Sequence, residues 1–259
     1  WYCQRNQYRI LPSQTMTMNN FNIILDVLSR TYARSRLDII TFAAYNEPML
    51  DPFFIPRLQL LSSMGYRYWS FSNGSSFTEE IAEFLLKDKP LIYEFQFNIP
   101  SLDPSILAQQ ANITFEQAVG AVDNIKRFLP QLAALGKVIN ICCHGNYDEK
   151  HHQSFSEILT FANQNNMKAE LAYTTNRGGM LKGVGRKIDH GTGKLHCNNH
   201  FLSNIYIDIE GNLFLCCVDY FKESKYGNIL QNDFIDLFSD FYRAEVLLRF
   251  RSEEHTSEL

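Results

Sequence analysis

The sequence predicts an α/β protein: a partial (β/α)6 parallel barrel that lacks its first strand, followed by a small extension made of a β-hairpin and a helix. Up to about residue 173, five apolar or β-branched segments alternate with segments of helical periodicity, which is typical of parallel sheets with helical crossovers. After a glycine-rich connector, two short alternating segments flank the turn at 210–212 and predict the hairpin. The 259 residues are 45% hydrophobic, which is enough for a core and excludes a disordered or collagen-like chain.

The first half of the chain opens on a helix with apolar residues at helical spacing, from Phe21 to Tyr32. A second helix ends at Gly65, a third begins at Thr78, and Thr114 with Gln117 predicts the capping box of a long helix. Ser154 with Glu157 predicts the start of the last helix of this half, and Pro130 is expected to kink or interrupt the helix before it. Strands are expected at 38–43, 68–72, 91–98, 138–143 and 167–173. Because the pattern opens on a helix, a further strand is expected before Trp1, which makes six.

The composition of the chain divides it into four parts. Residues 1–176 form the predicted barrel, and 177–196 form a connector rich in glycine and basic residues. Residues 197–250 form the extension. The tail 251–259 reads RSEEHTSEL, which resembles a translated sequencing adapter, the alternative being a genuine acidic tail.

Charge and hydropathy limit the possible partners and location. The net charge of −4 argues against binding to nucleic acid through overall charge, and no apolar run approaches the ~18 residues that span a bilayer. No leader sequence is recognisable, and six cysteines in a chain of this size favour reduced thiols over a secreted disulfide framework. A cytoplasmic protein with neither nucleic acid nor membrane as partner is therefore expected.

Two cysteines flank the predicted hairpin. Cys197 precedes its first strand and Cys216 ends its second, so both are expected at the same end of an antiparallel pair. Two thiolates there would be half of a four-thiolate site for zinc or an iron–sulfur cluster. The alternative is two buried structural cysteines.

The spacing Cys197, thirteen residues, Gly211, four residues, Cys216 resembles the opening of the SPASM extension of radical S-adenosylmethionine (radical SAM) enzymes. The segments around Gly211 and 226–229, and the Asn176-Arg177-Gly178-Gly179 entry, are similar to that extension too. The resemblance implies that Cys197 and Cys216 are ligands of an auxiliary [4Fe–4S] cluster. Further cluster cysteines would lie beyond Phe250, so cluster number and the role of Cys217 stay open.

The predicted barrel loops carry the same resemblance. Asn46-Glu47-Pro48 is similar to the family's loop that binds the methionine amino group, with Asn46 where glycine is usual. Pro48 is expected to hold Glu47 in an extended conformation with its carbonyl turned into the barrel mouth. Asn73, in Ser-Asn-Gly, is expected to line the SAM pocket, and Asn98 to contact the ribose or the methionine carboxylate. Taken singly, the Asn46-Glu47-Pro48 loop is equally explained as an ordinary βα turn, and the Ser-Asn-Gly loop that contains Asn73 as a plain turn.

At the N-terminus, Tyr2-Cys3 resembles the final aromatic–cysteine pair of the family's CxxxCx-aromatic-C signature. The other two cysteines would precede Trp1. The resemblance implies that Cys3 binds a [4Fe–4S] cluster whose open iron holds S-adenosylmethionine. One electron then cleaves the sulfonium C–S bond and yields a 5′-deoxyadenosyl radical. With two ligands of that cluster absent, the chain alone is expected to be inactive and to bind S-adenosylmethionine poorly.

The resemblance implies an enzyme that abstracts hydrogen from a peptide or protein side chain, supplied with electrons by a donor such as flavodoxin or ferredoxin. The alternatives are a small-molecule radical SAM enzyme of cofactor biosynthesis and a non-catalytic, zinc-stabilised binding module. A separate group of cysteines and histidines could form a metal site: Cys142, Cys143, His144, His151 and His152. Its histidines are instead expected in a solvated loop.

Overall fold

The computed structural model describes residues 15–31, 37–42, 47–87, 91–145, 148–173, 204–214 and 225–231. In chain order its elements are α1 Met18–Thr31, β1 Ile39–Phe42, a 3-10 helix Pro48–Leu50, α2 Phe54–Ser63, β2 Arg67–Ser72, α3 Glu79–Lys87, β3 Ile92–Ile99, α4 Pro104–Ala111, α5 Phe115–Ala134, β4 Ile139–Gly145, α6 Glu149–Gln164, β5 Lys168–Tyr173, β6 Tyr206–Ile207, β7 Asn212–Phe214 and β8 Lys225–Asn228. They form two compact units, one from the described residues between 38 and 173 and the other from those of 15–37 and 204–231.

The first unit is a five-stranded parallel sheet with the strand order β1-β2-β3-β4-β5. Because neighbouring strands are consecutive and their helical connections share one hand, the crossover helices all lie on the same face. The α/β fold class expected from the sequence is therefore confirmed, with all five expected strands present. Among the described residues, no crossover helix lies on the opposite face of the sheet, which is called the open face below.

Side chains alternate between these two faces. Tyr68, Phe95, Phe97 and Ile141 point to the helices and are almost completely buried. Most aromatic rings of this layer meet edge to face, as between Phe54 of α2 and Tyr68, whose ring centroids lie 6.0 Å apart, while Phe95 and Phe97 are stacked. This packed layer fixes the strands against their helices and so fixes where the strands end.

Local sequence signals account for most helix boundaries. Thr114 and Gln117 form the expected capping box, since each side chain bonds the backbone N–H of the other residue. The expected start at Ser154 is wrong: α6 begins at Glu149, Asp148 caps it by accepting a hydrogen bond from His151 N, and Ser154 is buried inside the helix. α5 continues through Pro130 to Ala134 rather than ending there.

The second unit joins a helix from early in the chain to a three-stranded antiparallel sheet, β6-β7-β8. Ile24 and Leu28 of α1 pack against Leu213 and Ile229 in one apolar cluster. The hairpin expected around residue 211 forms, while β8 had not been expected. The sequence had placed α1 in the barrel; the predicted boundaries of the connector lie outside the described residues.

In the part of the chain that the structure describes, no helix has the length and apolarity that a bilayer crossing requires.

Candidate functional site

The polar residues singled out in the barrel loops lie at the carboxyl ends of successive parallel strands. Glu47 comes after β1, Asn73 directly follows β2, and Asn98 and His144 lie near the ends of β3 and β4. In β/α barrels this edge carries the chemistry. The candidate site is therefore built from this edge and from the adjoining open face.

Glu47 is held by its proline neighbour. Its backbone is extended, with φ −93° and ψ 110°, as the sequence predicted. Pro48 occupies the first position of a 3-10 helix that had not been expected. The Glu47 carbonyl accepts a hydrogen bond from Leu50 N at 3.1 Å and so closes this turn, which the sequence had not predicted. Asp51, at the end of the turn, forms an ion pair of 2.8 Å with the buried Arg57 of α2, which anchors the loop to the packed helix layer.

The Glu47 carboxylate joins its own loop to the end of β2. Oε1 accepts hydrogen bonds from Ser72 Oγ at 2.7 Å and from Met49 N at 3.3 Å, and Oε2 accepts one from Asn73 N at 2.7 Å. Ser72 Oγ in turn accepts from Gly74 N at 2.9 Å. Ser72 was considered from the sequence only as part of the Ser-Asn-Gly segment, and its bond to Glu47 was not predicted, although a buried polar residue on the helix-facing side of β2 needs a partner.

Burial raises the pKa of Glu47, and the hydrogen bonds from Asn73, Ser72 and Met49 oppose that shift. Within the described ranges, no lysine, arginine or histidine lies within ion-pair distance of this carboxylate. Oε2 has accepted a single hydrogen bond and retains capacity for another donor. A partly buried carboxylate without a cationic partner is stabilised by a cation that binds beside it.

The Asn73 side chain forms a hydrogen bond within its own turn. Its Oδ1 accepts a hydrogen bond from Ser75 N at 2.8 Å, and the residue is exposed. The following Gly74 adopts φ +74°, and a Cβ there would lie 3.0 Å from Ile125 and 3.1 Å from Ile99. Glycine at this position thus lets the loop after β2 pass closely over α5 and β3.

Asn98 and two neighbours form a hydrogen-bonded group on the open face. Gln96 Nε2 donates to Asn98 Oδ1 at 2.8 Å, and His144 Nε2 lies 3.3 Å from the same oxygen. All three residues are partly buried. Neither Gln96 nor the involvement of His144 with Asn98 was predicted, since nothing in local spacing shows that β3 and β4 are neighbours.

Further polar groups lie on the same face. Asn140 Nδ2 donates to Glu170 Oε1 at 2.9 Å across β4 and β5. Asn140 Oδ1 and Trp69 Nε1 are buried and have no hydrogen-bond partner in the part of the chain that the structure describes. Buried polar atoms of this kind are stabilised by a ligand that supplies the missing bond.

The cysteine and histidine group is not arranged as the sequence suggested. Cys142 points to the open face and Cys143 to the helices, as strand alternation required. His151, expected in a solvated loop, is instead buried in the first turn of α6, where its Nε2 lies 3.0 Å from the Cys143 carbonyl oxygen. Among the described residues, no group of three or more potential ligands could hold a metal ion.

The proposed cluster ligands and two further site residues lie outside the described residues: Tyr2, Cys3, Asn46, Cys197 and Cys216. What the structure describes of the extension is the turn between β6 and β7. There the Asp208 carboxylate accepts hydrogen bonds from Glu210 N and Asn212 N, both at 2.9 Å. Asn228 Nδ2 donates to the Glu210 carbonyl at 3.0 Å and to Asn212 Oδ1 at 2.9 Å, which ties β8 to the hairpin.

Comparison with solved structures shows what this fold resembles. The chain matches Streptococcus suis SuiB bound to the precursor peptide SuiA, with a TM-score of 0.66 and 11% identity over 90% of this chain and 60% of SuiB. It matches SuiB bound to S-adenosylmethionine with a TM-score of 0.65 and 11% identity, over 92% of this chain and 62% of that one. It matches BtrN in complex with AdoMet and 2-DOIA with a TM-score of 0.55 and 15% identity, over 97% of this chain and 79% of BtrN.

At these identities the comparison concerns the fold. The chain has the fold of proteins whose structures contain S-adenosylmethionine, in agreement with the fold that the radical SAM resemblance implied. The chain spans about 60% of the length of SuiB. No protein-family model matches the sequence, and the search of curated proteins gives no match.

Proposed function

We propose that this protein is a radical SAM enzyme that cleaves S-adenosylmethionine reductively and uses the 5′-deoxyadenosyl radical to abstract hydrogen from a peptide or protein side chain. The observation that carries the proposal is the Glu47 carboxylate at the carboxyl edge of the parallel sheet, partly buried and without a cationic partner among the described residues. S-Adenosylmethionine brings an ammonium and a sulfonium group. A cation beside this carboxylate would offset the cost of burying its charge.

The remaining site residues are proposed around this carboxylate. Glu47 and Pro48, with Asn46, shape the loop beside the methionine ammonium group, Asn73 borders the pocket, and Asn98 donates to an oxygen of the ligand. Tyr2 and Cys3 would lie at the [4Fe–4S] cluster, whose chemistry is to supply one electron to the sulfonium when bound. The chain's own residues bind and orient the nucleotide and exclude water from it.

The extension is proposed to hold an auxiliary [4Fe–4S] cluster through Cys197 and Cys216. The Asp208 and Asn228 hydrogen bonds support this idea, because they make the hairpin turn a rigid base for the two cysteines that flank it in sequence. The SuiB structure with its precursor peptide supports a peptide substrate. A cytoplasmic location and an electron donor such as flavodoxin or ferredoxin belong to the same proposal.

The test is anaerobic reconstitution of the full-length gene product with iron and sulfide, followed by measurement of 5′-deoxyadenosine formed from S-adenosylmethionine under reduction. We expect product from the wild type and a loss of about tenfold to a hundredfold in S-adenosylmethionine affinity for Glu47→Ala, since a hydrogen bond to a charged group contributes about 1.5–3 kcal/mol. Glu83→Ala, an exposed carboxylate on α3, is the matched control and should bind as the wild type does. If the wild type forms no 5′-deoxyadenosine, the proposal fails.

A small-molecule substrate is the second candidate, favoured by the match to BtrN, whose structure contains 2-DOIA. Modification of a short peptide encoded beside the gene, followed by mass spectrometry, separates the two candidates. Uncoupled 5′-deoxyadenosine formation with that peptide unchanged favours the small-molecule alternative. Stoichiometric zinc without iron or sulfide in the purified protein would favour the zinc-stabilised binding module.

A further inference from the structure

Gln96, Asn98 and His144 form one cluster on the open face. Gln96 and Asn98 are two residues apart on β3, so they share a face, and Asn98 pairs in register with Cys142, two residues before His144 on β4. Gln96 Nε2 donates to Asn98 Oδ1 at 2.8 Å. His144 Nε2 lies 3.3 Å from that same Oδ1.

Both contacts converge on one atom. A carbonyl oxygen accepts two hydrogen bonds, so Asn98 Oδ1 is fully used by Gln96 and His144. The other side of the amide carries Nδ2 with its two hydrogens. No hydrogen bond from Asn98 Nδ2 to a protein group occurs in the described part of the chain. The cluster therefore leaves a fixed pair of donors available to a ligand.

We propose that Gln96 and His144 are positioning residues that hold the Asn98 amide with its Nδ2 donors turned to the ligand. Position 98 then selects a hydrogen-bond acceptor, an oxygen of the nucleotide ligand. This inference rests on the proposed function, which supplies S-adenosylmethionine as that ligand. It also assigns the His144 proton to Nε2, because Oδ1 can only accept.

Position 96 offers the discriminating substitution. Gln96→Glu keeps the shape of the side chain but replaces its donor with an acceptor, so it opposes Asn98 Oδ1 instead of bonding it. The Asn98 amide is then expected to rotate by about 180°, so that Nδ2 faces position 96 and Oδ1 faces the ligand. If instead Asn98 Nδ2 donated to Gln96 Oε1, a carboxylate at position 96 would accept that hydrogen bond equally well and Gln96→Glu would leave ligand binding unchanged.

The measurement is the affinity of the reconstituted full-length protein for S-adenosylmethionine by isothermal titration calorimetry. We expect Gln96→Glu to weaken binding by about tenfold or more and Gln96→Met by about threefold to tenfold, because one positioned hydrogen bond is lost or reversed. His144→Leu should also weaken binding, while His144→Gln, which keeps a donor, should remain close to the wild type. Unchanged melting temperatures without ligand show that the fold is intact in each variant.

A second ligand identifies the oxygen. 5′-Methylthioadenosine keeps the ribose and lacks the amino acid part of S-adenosylmethionine. If the Gln96→Glu effect disappears with this ligand, the acceptor is the methionine carboxylate; if the effect persists, the acceptor is a ribose hydroxyl. Either result supports the positioning role.

Gln59 on α2 is exposed and provides the matched control, so Gln59→Glu and Gln59→Met should bind S-adenosylmethionine as the wild type does. Wild-type binding together with equally tight binding by Gln96→Glu overturns the inference and leaves the proposed function standing. Failure of the wild type to bind S-adenosylmethionine overturns both.

Discussion

Gly145, the last residue of β4, is predicted to be intolerant of even a methyl group. A Cβ built there would lie 2.5 Å from Cδ2 and 2.7 Å from Nδ1 of His151, and closer still to Cγ. The imidazole cannot simply move aside, because it is buried and its Nε2 contacts the Cys143 carbonyl oxygen at 3.0 Å. Gly145→Ala therefore sets a backbone-attached methyl group against a ring that helps join β4 to α6.

Gly145→Ala is expected to destabilise the protein by one of two routes. If the ring stays, overpacking costs about 1–3 kcal/mol; if it leaves, a buried carbonyl loses its partner at about 1–3 kcal/mol. Alanine reduces the entropy of the unfolded chain, which returns about 0.4–1 kcal/mol. Subtracting this gain from the middle of the cost range leaves an expected net loss of about 1–2 kcal/mol in the free energy of unfolding, measured by urea denaturation followed by far-UV circular dichroism.

Two further variants test whether the contact between position 145 and the His151 ring causes the destabilisation. Gly120→Ala on α5, where a Cβ meets nothing within 4 Å, should stabilise the protein by about 0.5–1 kcal/mol. His151→Ala removes the ring, so Gly145→Ala should cost much less in that background than in the wild type. A Gly145→Ala protein as stable as the wild type, or additive effects in the double-mutant cycle, would refute the argument.

Three other predictions concern the site, the thiols and the extension. Burial raises the pKa of Glu47 above 4.5, so protonation of Glu47 stabilises the folded state below pH 4.5, and this stabilisation is lost as the pH rises through the folded-state pKa. Glu47→Gln cannot titrate, so its unfolding free energy relative to that of the wild type, measured by urea denaturation, should increase as the pH rises through the same range. Burial raises the pKa of Cys142 to about 11 and of Cys143 to about 12, so in mass spectrometry both thiols should resist iodoacetamide at about pH 8 in the folded protein and react in urea. Asn228→Ala should lower the unfolding free energy by about 2–4 kcal/mol by breaking the bonds that join β8 to the hairpin, whereas Asn112→Gly, at an exposed left-handed helix end in the first unit, should change it by no more than about 0.5 kcal/mol; urea denaturation checks both.

The strands and most helices could be predicted because their signals are local. The mostly apolar run of β4 and the Thr114–Gln117 capping box each involve residues within a few positions of one another. α4 was missed although Asp103 and Pro104 mark its start and Asn112, with φ 56°, marks its end. Such a short amphipathic segment is easily taken for a loop when only the stronger neighbouring helix is considered.

The errors share a different cause, which is competition between equivalent local signals. Ser154 with Glu157 fits a capping box, yet Asp148 offers an earlier cap, and burial of His151 against Gly145 favours the longer helix. The partner of α1 was likewise beyond local reading. The apolar stripe of α1 predicts that one face of the helix is buried, but it does not predict that this face packs against Leu213, far along the chain.

The candidate site illustrates the same limit. Glu47 and Asn73 were each identified from their own loops, but the sequence contains no sign that one carboxylate binds the end of the next strand. That contact joins residues 25 and 26 positions apart, and it arises only when β1 and β2 pair in parallel. The Gln96–Asn98–His144 cluster depends equally on the β3–β4 register, with Asn98 and His144 separated by 46 positions.

The two faces of the sheet differ in a way that bears on function. The helix-facing side is filled mainly by aromatic and aliphatic side chains, although Tyr68 Oη and Ser70 Oγ are buried there without a hydrogen-bond partner among the described residues. The open face carries an amide cluster, a carboxylate and two further such atoms, Trp69 Nε1 and Asn140 Oδ1. A buried polar atom left unpaired costs about 1–3 kcal/mol, and apolar residues of similar size would avoid that cost. A ligand that donates to Asn140 Oδ1 or accepts from Trp69 Nε1 would recover this cost on binding, which is why the open face is included in the candidate site.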